Sequence, residues 1–559
     1  MTDHVELRRG VYHDSVTLLR IAQAAAQAPG VTAAQVAMAT PLNVDLTVGL
    51  GFSMPAAAGP NDLLVALRGD DGGVEAGLAA IERALTAAST GARSAGGFGD
   101  PPPPRTVRSA ARAAPDAAVV LLSVPGSAVF GEAMDAIEAG RHVMIFSDNV
   151  PIEHEIVLKE AAAAAGVLVM GPDCGTAVIG GVGLGFANVL SHTAAPTDAP
   201  AVGVIAASGT GAQQLTSLLD EAGVAISQVI GLGGRDLSER VGGRSALAAL
   251  RLLDDDPNTG HIVVVSKPPH PATGRQVTAA AADISTPVTV VLLGAGRPDI
   301  TSAAEAVLDA IGVPVPPWPR WLPNEQSLPR NGSAGNGGAL RGLFSGGTLA
   351  DEAMVLIEEL LGTGISSNIP LRPERALPTG TVVHGVPRLA GLGNVVIDLG
   401  DDEFTRGRPH PMIDPTVKLD LLADQAADPD VRVILLDVVL GYCAEEDPSA
   451  RLAPVIRDGL AGARRAGRPL DVVVSLCGTT GDPQDRERQA GALAAAGACV
   501  YVSNAAAARC AAGIAAGASN DDVVATGAIA GAADTADAGA AHAVADAGAT
   551  HAVADANGS

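Results

Sequence analysis

Two short turns carry the chemistry this chain offers. Ser208-Gly209-Thr210-Gly211 follows an apolar run, 202–207, and opens an amphipathic segment, 212–222. A strand, a glycine-rich turn and a helix in that order leave backbone N–H groups unpaired at a positive helix end. That is a seat for an anion such as phosphate. The glycines let the backbone close on a ligand, and the hydroxyls cap the helix or bond the anion. Alone, the turn is equally well explained as an ordinary helix start. It has an echo, however: Leu343-Phe344-Ser345-Gly346-Gly347-Thr348 leads into a second amphipathic helix, 349–361. Two helix starts of one kind, in two halves of one chain, suggest two dipoles aimed at one anion.

Other polar residues fall on loops that follow apolar strands. Lys267 and His270 lie in Ser266-Lys-Pro-Pro-His-Pro271, where either can bind a carboxylate or donate a proton; a proline-stiffened loop is the structural alternative. Arg297 follows the strand 288–293, and its planar fork suits phosphate or an ordinary salt bridge. Arg406, Arg408 and His410 share a loop after the strand 395–399, and two arginines in so acidic a chain are pointed. Asp398 and Asp414 cap helices or order those arginines. Cys174 reads as a packed small side chain rather than a nucleophile, because no histidine is close to it in sequence. Metal-ligand spacing is absent, and His542 and His551 are too sparse to suggest it.

The elements that must position these loops are strands and helices in alternation. The apolar runs 63–67, 117–123, 142–146, 167–170, 202–206, 228–231, 262–265, 288–293, 342–344, 395–399, 431–436, 471–475 and 499–502 lack period-two alternation and are separated by helical segments. That pattern specifies parallel sheets covered on both faces. The fold class is therefore α/β, with tandem doubly wound parallel-sheet domains that bind ligands at the carboxyl ends of their strands.

The domain boundaries expected from sequence are an N-terminal adaptor element over 1–40 and a Rossmann-like domain over 41–198, which includes a mobile excursion at 87–105. A second α/β domain covers 199–313, a Pro/Gly/Asn-rich linker 314–336 and a third α/β domain 337–515. An Ala/Gly/Asp tail over 516–559 has too little bulk to bury and reads as disordered.

Composition bounds the rest. Of 559 residues 47% are apolar but only 2% aromatic, so Ala, Val, Leu and Gly must build a large core. The formal charge of −25 argues against a nucleic-acid or anionic-membrane surface, since both need basic patches. An anionic substrate then needs helix ends or single basic residues. Five scattered cysteines without a C-x-x-C fit reduced thiols. With neither a signal peptide nor a membrane span in evidence, a cytoplasmic protein is expected.

Longer motifs add a resemblance. Ser123-Val-Pro-Gly, Phe146-Ser-Asp-Asn-Val-Pro151 and Val169-Met-Gly-Pro-Asp-Cys-Gly-Thr176 resemble the FdrA family, as do Phe344-Ser-Gly-Gly-Thr, Asp398-Leu-Gly-Asp-Asp-Glu-Phe and Arg408-Pro-His-Pro-Met-Ile-Asp-Pro415. That family is similar to the succinyl-CoA synthetase alpha subunit joined to the carboxyl domain of the beta subunit. The resemblance spans roughly residues 10–515. It implies a Rossmann-like CoA-binding-type domain followed by two flavodoxin-like ones. In the synthetases two helix N-termini hold the phosphate of a phosphohistidine, and by position Ser208–Gly211 and Ser345–Thr348 match them.

The chain departs from that pattern in three places. Gly294-Ala-Gly-Arg-Pro298 has no histidine where the synthetases carry theirs, Ser266–Pro271 replaces the acidic turn that supports it, and no segment corresponds to the nucleotide-grasp half of the beta subunit. Val48-Gly-Leu-Gly-Phe-Ser53 has glycines but lacks the G-x-T-G-x-x-G of a CoA-phosphate loop.

The resemblance implies carbamoyl transfer between an oxalurate- or oxamate-type amide and phosphate, in purine or allantoin breakdown. The ligand would be carbamoyl phosphate or phosphate, with further subunits as partners. Ser208, Gly209, Thr210, Gly211, Ser345, Gly346, Gly347 and Thr348 are the expected phosphate contacts. His270, Arg297 and His410 are the catalytic candidates, and Lys267, Arg406 and Arg408 the substrate-binding ones. No metal is expected, and CoA is the one candidate cofactor. The alternatives are an acyl-CoA synthetase that takes its nucleotide domain from a partner, and a non-catalytic scaffold or ligand-binding subunit.

Overall fold

The computed structural model describes residues 1–518 except 12, 14, 56–58, 60–61, 94–103, 193–200, 324–336, 384–385 and 406–408. The expected disordered tail, 516–559, lies outside the described residues from 519 onward.

The first unit runs β1 (Thr2–Arg8), α1 (Ser15–Ala26), β2 (Val31–Met38), α2 (Pro41–Gly49), β3 (Leu63–Gly69) and α3 (Asp71–Arg93). Its sheet order is β1-β3-β2, antiparallel throughout, so the run 63–67 is corrected from a parallel-sheet strand to the centre of an antiparallel sheet. Leu63, Val65 and Leu67 of the central strand pack on Leu18, Ile21 and Ile81 of the helices. This corrects the division at residue 40: the middle strand of the sheet comes from beyond it, so residues 1–93 are one unit. The 87–105 excursion is also corrected in part, because α3 continues to Arg93. The glycine-bearing stretch 48–53 lies here as well. Arg68 stacks 4.5 Å over Phe52 and donates to the carbonyls of Leu50 and Gly51, which makes this a packed turn of the first unit.

The second unit is a small parallel sheet, β4-β5-β6. It is built from α4 (Val107–Ala113), β4 (Val119–Leu122), α5 (Val129–Glu138), β5 (His142–Ile145), α6 (Ile152–Ala165) and β6 (Val169–Met170). It is smaller than the expected 41–198 domain. The hairpin β7 (Thr176–Ile179) and β8 (Val182–Gly185) leaves it and joins the next sheet, pairing antiparallel with β10.

The third unit continues β9 (Ala201–Ala206), α7 (Gly209–Glu221), β10 (Ile226–Gly231), α8 (Arg244–Asp254), β11 (Thr259–Ser266), α9 (Pro271–Ala282), β12 (Val288–Leu292) and α10 (Ile300–Ala310). Its sheet runs β12-β11-β9-β10-β7-β8. The first strand of the wound part thus sits between the second and third, the flavodoxin-like order.

The fourth unit starts at β13 (Arg320–Trp321) and β14 (Ala339–Phe344), then α11 (Gly347–Leu361), the short hairpin β15 (Val382–Val383) and β16 (Val386–Pro387), β17 (Val395–Asp398) and α12 (Asp402–Thr405). It ends with α13 (Thr416–Ala427), β18 (Val431–Val439), α14 (Pro448–Arg465), β19 (Asp471–Cys477), α15 (Arg486–Ala495), β20 (Cys499–Tyr501) and α16 (Asn504–Ala515). The sheet runs β13-β20-β19-β18-β14-β17, parallel apart from β13, again in the flavodoxin-like order. The expected linker is therefore partly built into the sheet, at Arg320–Trp321.

The third and fourth units are joined by a polar seam around two buried helices. Residues 210–220 of α7 and 348–357 of α11 are buried throughout. Polar side chains in such a place need partners. Gln214 donates to the Val502 carbonyl at 2.9 Å, Gln213 to Asn188 at 3.1 Å, and Asn188 to Asp482 at 2.8 Å. Glu352 of α11 accepts from Ile300 N at 2.6 Å and Asn504 Nδ2 at 2.7 Å. These bonds are directional, so they fix how the two helices lie against one another.

Candidate functional site

In a flavodoxin-like sheet the crevice opens where the winding reverses, at the carboxyl ends of the first and third strands. In the third unit those strands are β9 and β11, and the residues leaving them are Ser208–Gly211 and Lys267. In the fourth unit they are β14 and β18, which deliver Ser345–Thr348 and Asp437. The two crevices face each other.

The helix starts touch. A β-carbon at Gly346 would stand 2.7 Å from Thr210 Oγ1, and one at Gly211 would stand 3.0 Å from Thr348 Cγ2. Only glycine lets the two tips come this close. Ser208 caps its helix, its Oγ accepting from Gly211 N at 3.2 Å. At the other tip the N–H groups of Ser345 and Gly346 go to the carboxylate of Asp437 at 2.8–2.9 Å. Asp437 is fully buried and in turn binds Lys418. That leaves the N–H groups of Gly209, Thr210, Gly347 and Thr348 with no acceptor among the described residues. The buried hydroxyls of Thr176 and Thr348 also have no partner, and Thr176 Oγ1 lies 3.0 Å from a β-carbon placed on Gly209. Ser208, Gly209 and Gly347 are half-buried, which opens one side of the junction. Two positive helix ends with unpaired donors are an anion site.

Charged groups gather at the fourth-unit tip. A β-carbon at Gly347 would be 2.6 Å from Asp398 Oδ2 and 2.9 Å from Lys267 Nζ. Lys267 makes no direct ion pair among the described residues. Burial works against its charge, but Asp351, Asp398, Asp173 and Asp401 together raise its pKa, so it stays cationic. Burial pushes Asp351 up to about 7, against the pull of Lys267. It pushes Asp398 up to about 6. His410 stands beside this group: a β-carbon at Gly400 would be 2.7 Å from its Nε2 and 2.5 Å from the Ser345 carbonyl. Burial lowers His410 to about 4, so the ring is neutral at pH 7, and its Nδ1 accepts from Met412 N at 3.3 Å.

The structure thus brings Ser208–Gly211, Ser345–Thr348, Lys267 and His410 to one place. It does not bring Arg297, and no contact of His270 with these groups is seen among the described residues. His270 begins α9, its backbone N–H bonding the Leu237 carbonyl, and its ring makes no hydrogen bond to either turn. Arg297 is exposed and donates to Leu292 O, while the neighbouring Gly296 N bonds Glu359 near the far end of α11. The sheet order explains the place of Arg297: the loop after β12 lies outside the crevice. Arg406 and Arg408 lie outside the described residues. Asp414 caps Thr416 N at 3.1 Å and pairs with Arg451, a local role.

The residues that sequence reasoning passed over are Asp351, Asp437, Lys418 and Thr176. Two had a local signal: Asp437 is a lone acid inside the apolar run 431–440, and Asp351 shares a helix face with Gly347. Cys174 is packed against the carbonyls of Thr176 and Gly231, and burial pushes its thiol up to about 12. Iodoacetamide at pH 8 should therefore label the exposed Cys443 and spare Cys174 in the folded protein, read by peptide mass spectrometry.

Comparison with known proteins follows the same division of the chain. The family model described as CoA-ligase matches residues 343–514, and the model described as AllF, heavy metal-associated domain, matches residues 1–100. The matched first unit supplies no thiolate, since the first cysteine of the chain is Cys174. Over 514 residues the chain is 36% identical to the uncharacterized protein YahF of Escherichia coli (strain K12), covering 89% of this chain and 95% of that one. It is 30% identical over 164 residues to subunit alpha 2 of the ADP-forming succinate–CoA ligase of Archaeoglobus fulgidus, 29% of this chain and 54% of that one. Among solved structures, the dinucleotide-forming acetyl-coenzyme A synthetase 1 of Ca. Korarchaeum cryptofilum, in complex with phosphate and ADP, aligns at a TM-score of 0.25 and 17% identity, covering 74% of this chain and 85% of that one. No helix of the described residues is long and apolar enough to cross a membrane. By its near-full-length relative and the two matched family models, the chain belongs to the FdrA/AllF-like family of CoA-ligase-type proteins.

Proposed function

We propose that this chain is the acyl-transferring part of an acyl-CoA synthetase-type enzyme, and that it holds its acyl group as an acyl phosphate between the two helix starts. One observation carries the reading. The tips of α7 and α11 meet with four unpaired N–H groups and the Lys267 ammonium on a shared, half-open edge. As a thiol attacks the carbonyl carbon, the C–S bond forms. The C–O bond breaks, and phosphate leaves with the electron pair. Fixed dipoles aimed at the phosphate oxygens stabilise that departure without reorganising, and holding both reactants supplies much of the remainder. CoA is the thiol suggested by the names of the relatives. The strand ends of the second unit are its expected seat, because rings run from there to the junction: Phe146 to Phe186 at 5.6 Å, and Phe186 to His410 at 5.7 Å.

The acyl phosphate would be supplied by a partner subunit that binds nucleotide. Gly294–Pro298 has no histidine, and its loop is tied to Glu359, away from the tips. This favours a substrate that arrives already phosphorylated over one phosphorylated through that loop. Carbamoyl phosphate is such a substrate, so carbamoyl transfer is the second reading, differing in the group carried and in its acceptor. The experiment is to offer the purified protein acetyl phosphate with CoA, and separately carbamoyl phosphate with oxamate, and to measure product and released phosphate. Thioester formation in the first supports the proposal. Turnover in the second alone supports carbamoyl transfer. The reading is overturned if neither acyl phosphate is consumed nor raises the melting temperature.

A further inference from the structure

The junction holds a buried carboxyl that the phosphate site itself does not need. Asp351 lies one turn into α11 from Gly347, on the same face, and a helical side chain leans back toward the N-terminus. It is 7% exposed, and no hydrogen bond reaches its carboxyl among the described residues. What faces it is Lys267 from the loop after β11 and Asp398 from the end of β17; Asp173 and Asp401 face the same lysine. A carboxylate beside an anion seat is electrostatically costly unless it has a task there.

Resting on the acyl-phosphate reading above, we propose that Asp351 is the proton acceptor of the transfer, and that Lys267 beside it binds the departing phosphate. The incoming S–H or N–H gives its proton to an Asp351 oxygen as the new bond to the carbonyl carbon forms. The phosphate leaves with the electrons of the broken C–O bond, and the proton then passes to solvent. Burial that raises Asp351 to about 7 suits this role, because a general base works best when poised near the operating pH. Asp398, raised to about 6, is ionised first. It then balances Lys267 while Asp351 exchanges its proton.

The test is Asp351→Asn in the full chain, with transfer from acetyl phosphate or carbamoyl phosphate, sulfate affinity and melting temperature each measured from pH 5.5 to 8.5. Sulfate is used because it does not titrate in this range. The expected result is a loss of about 100- to 10,000-fold in kcat. Wild-type transfer should rise with pH through about 7, and the residual rate of the variant should not. Sulfate should bind the variant at least as tightly as wild type at pH 8. Asp351 favours its neutral form in the fold, so stability falls as pH rises from about 4 toward 7, and asparagine removes that loss. The variant should therefore melt above wild type at pH 8 and level with it near pH 4, which also shows that it folds. Transfer within threefold of wild type, or an unchanged pH profile, overturns the role of Asp351 alone. Failure of wild type to bind sulfate, phosphate or either acyl phosphate overturns the acyl-phosphate reading and this proposal with it.

Discussion

Lys267→Met should weaken inorganic phosphate binding by roughly 10- to 100-fold at pH 7.5, measured by titration calorimetry. A hydrogen bond to a charged group contributes about 1.5–3 kcal/mol, and about 1.4 kcal/mol is a factor of ten in affinity. Lys267 is the one cation whose nitrogen reaches the Gly347 edge among the described residues. Removing it also leaves Asp351 and Asp398 facing a bound anion with nothing between, and their mutual repulsion adds to the loss. The variant should recover part of its phosphate affinity as pH falls, because loss of the ammonium that lowers Asp351 and Asp398 lets both carboxyls protonate at higher pH than in the wild type. Affinity within threefold of wild type at pH 7.5 would remove Lys267 from the site.

Asp437→Asn should destabilise the fourth unit by about 3–5 kcal/mol, the usual effect of stripping one partner from a buried ion pair. Asp437 and Lys418 are 0% and 3% exposed, so the remaining ammonium would have neither water nor a counter-charge. The effect reaches the site through the backbone. Ser345 N and Gly346 N lose the charged acceptor that sets the entry angle of α11, and phosphate binding should fall along with melting temperature. The pair Asp437→Asn with Lys418→Met should regain most of the stability, because it leaves no unpaired buried charge, but not the binding. A single variant that melts like wild type would mean that the pair does not hold the turn.

The local parts of this architecture were legible in the residues. Parallel strands buried on both faces are apolar throughout, so β9, β11, β12, β17, β18 and β19 stood out as runs of Val, Ile and Leu. Both anion turns stood out because their serines and glycines act within four residues of chain. What depended on pairing between distant segments did not show. The sequence of β1, TDHVELR, alternates charge with apolar residues, and nothing in it announces that β3 will lie beside it. The glycine-rich hairpin 176–185 carries weak strand signals and is held by its pairing with β10. The same holds at the site. Lys267, Asp351 and Asp398 sit on three elements, and only the sheet order makes them neighbours. Arg297 was favoured because it stands where the related synthetases carry histidine; the sheet instead sends that loop toward Glu359.

The central claim is that one anion is gripped by both helix tips. The most direct measurement is a crystal structure grown without sulfate or phosphate and then soaked with arsenate, whose anomalous scattering marks the anion. The predicted peak lies within hydrogen-bond reach of the N–H groups of Gly209 or Thr210 and of Gly347 or Thr348, with Lys267 Nζ beside it. A well-ordered arsenate elsewhere, with none at the junction, would contradict it.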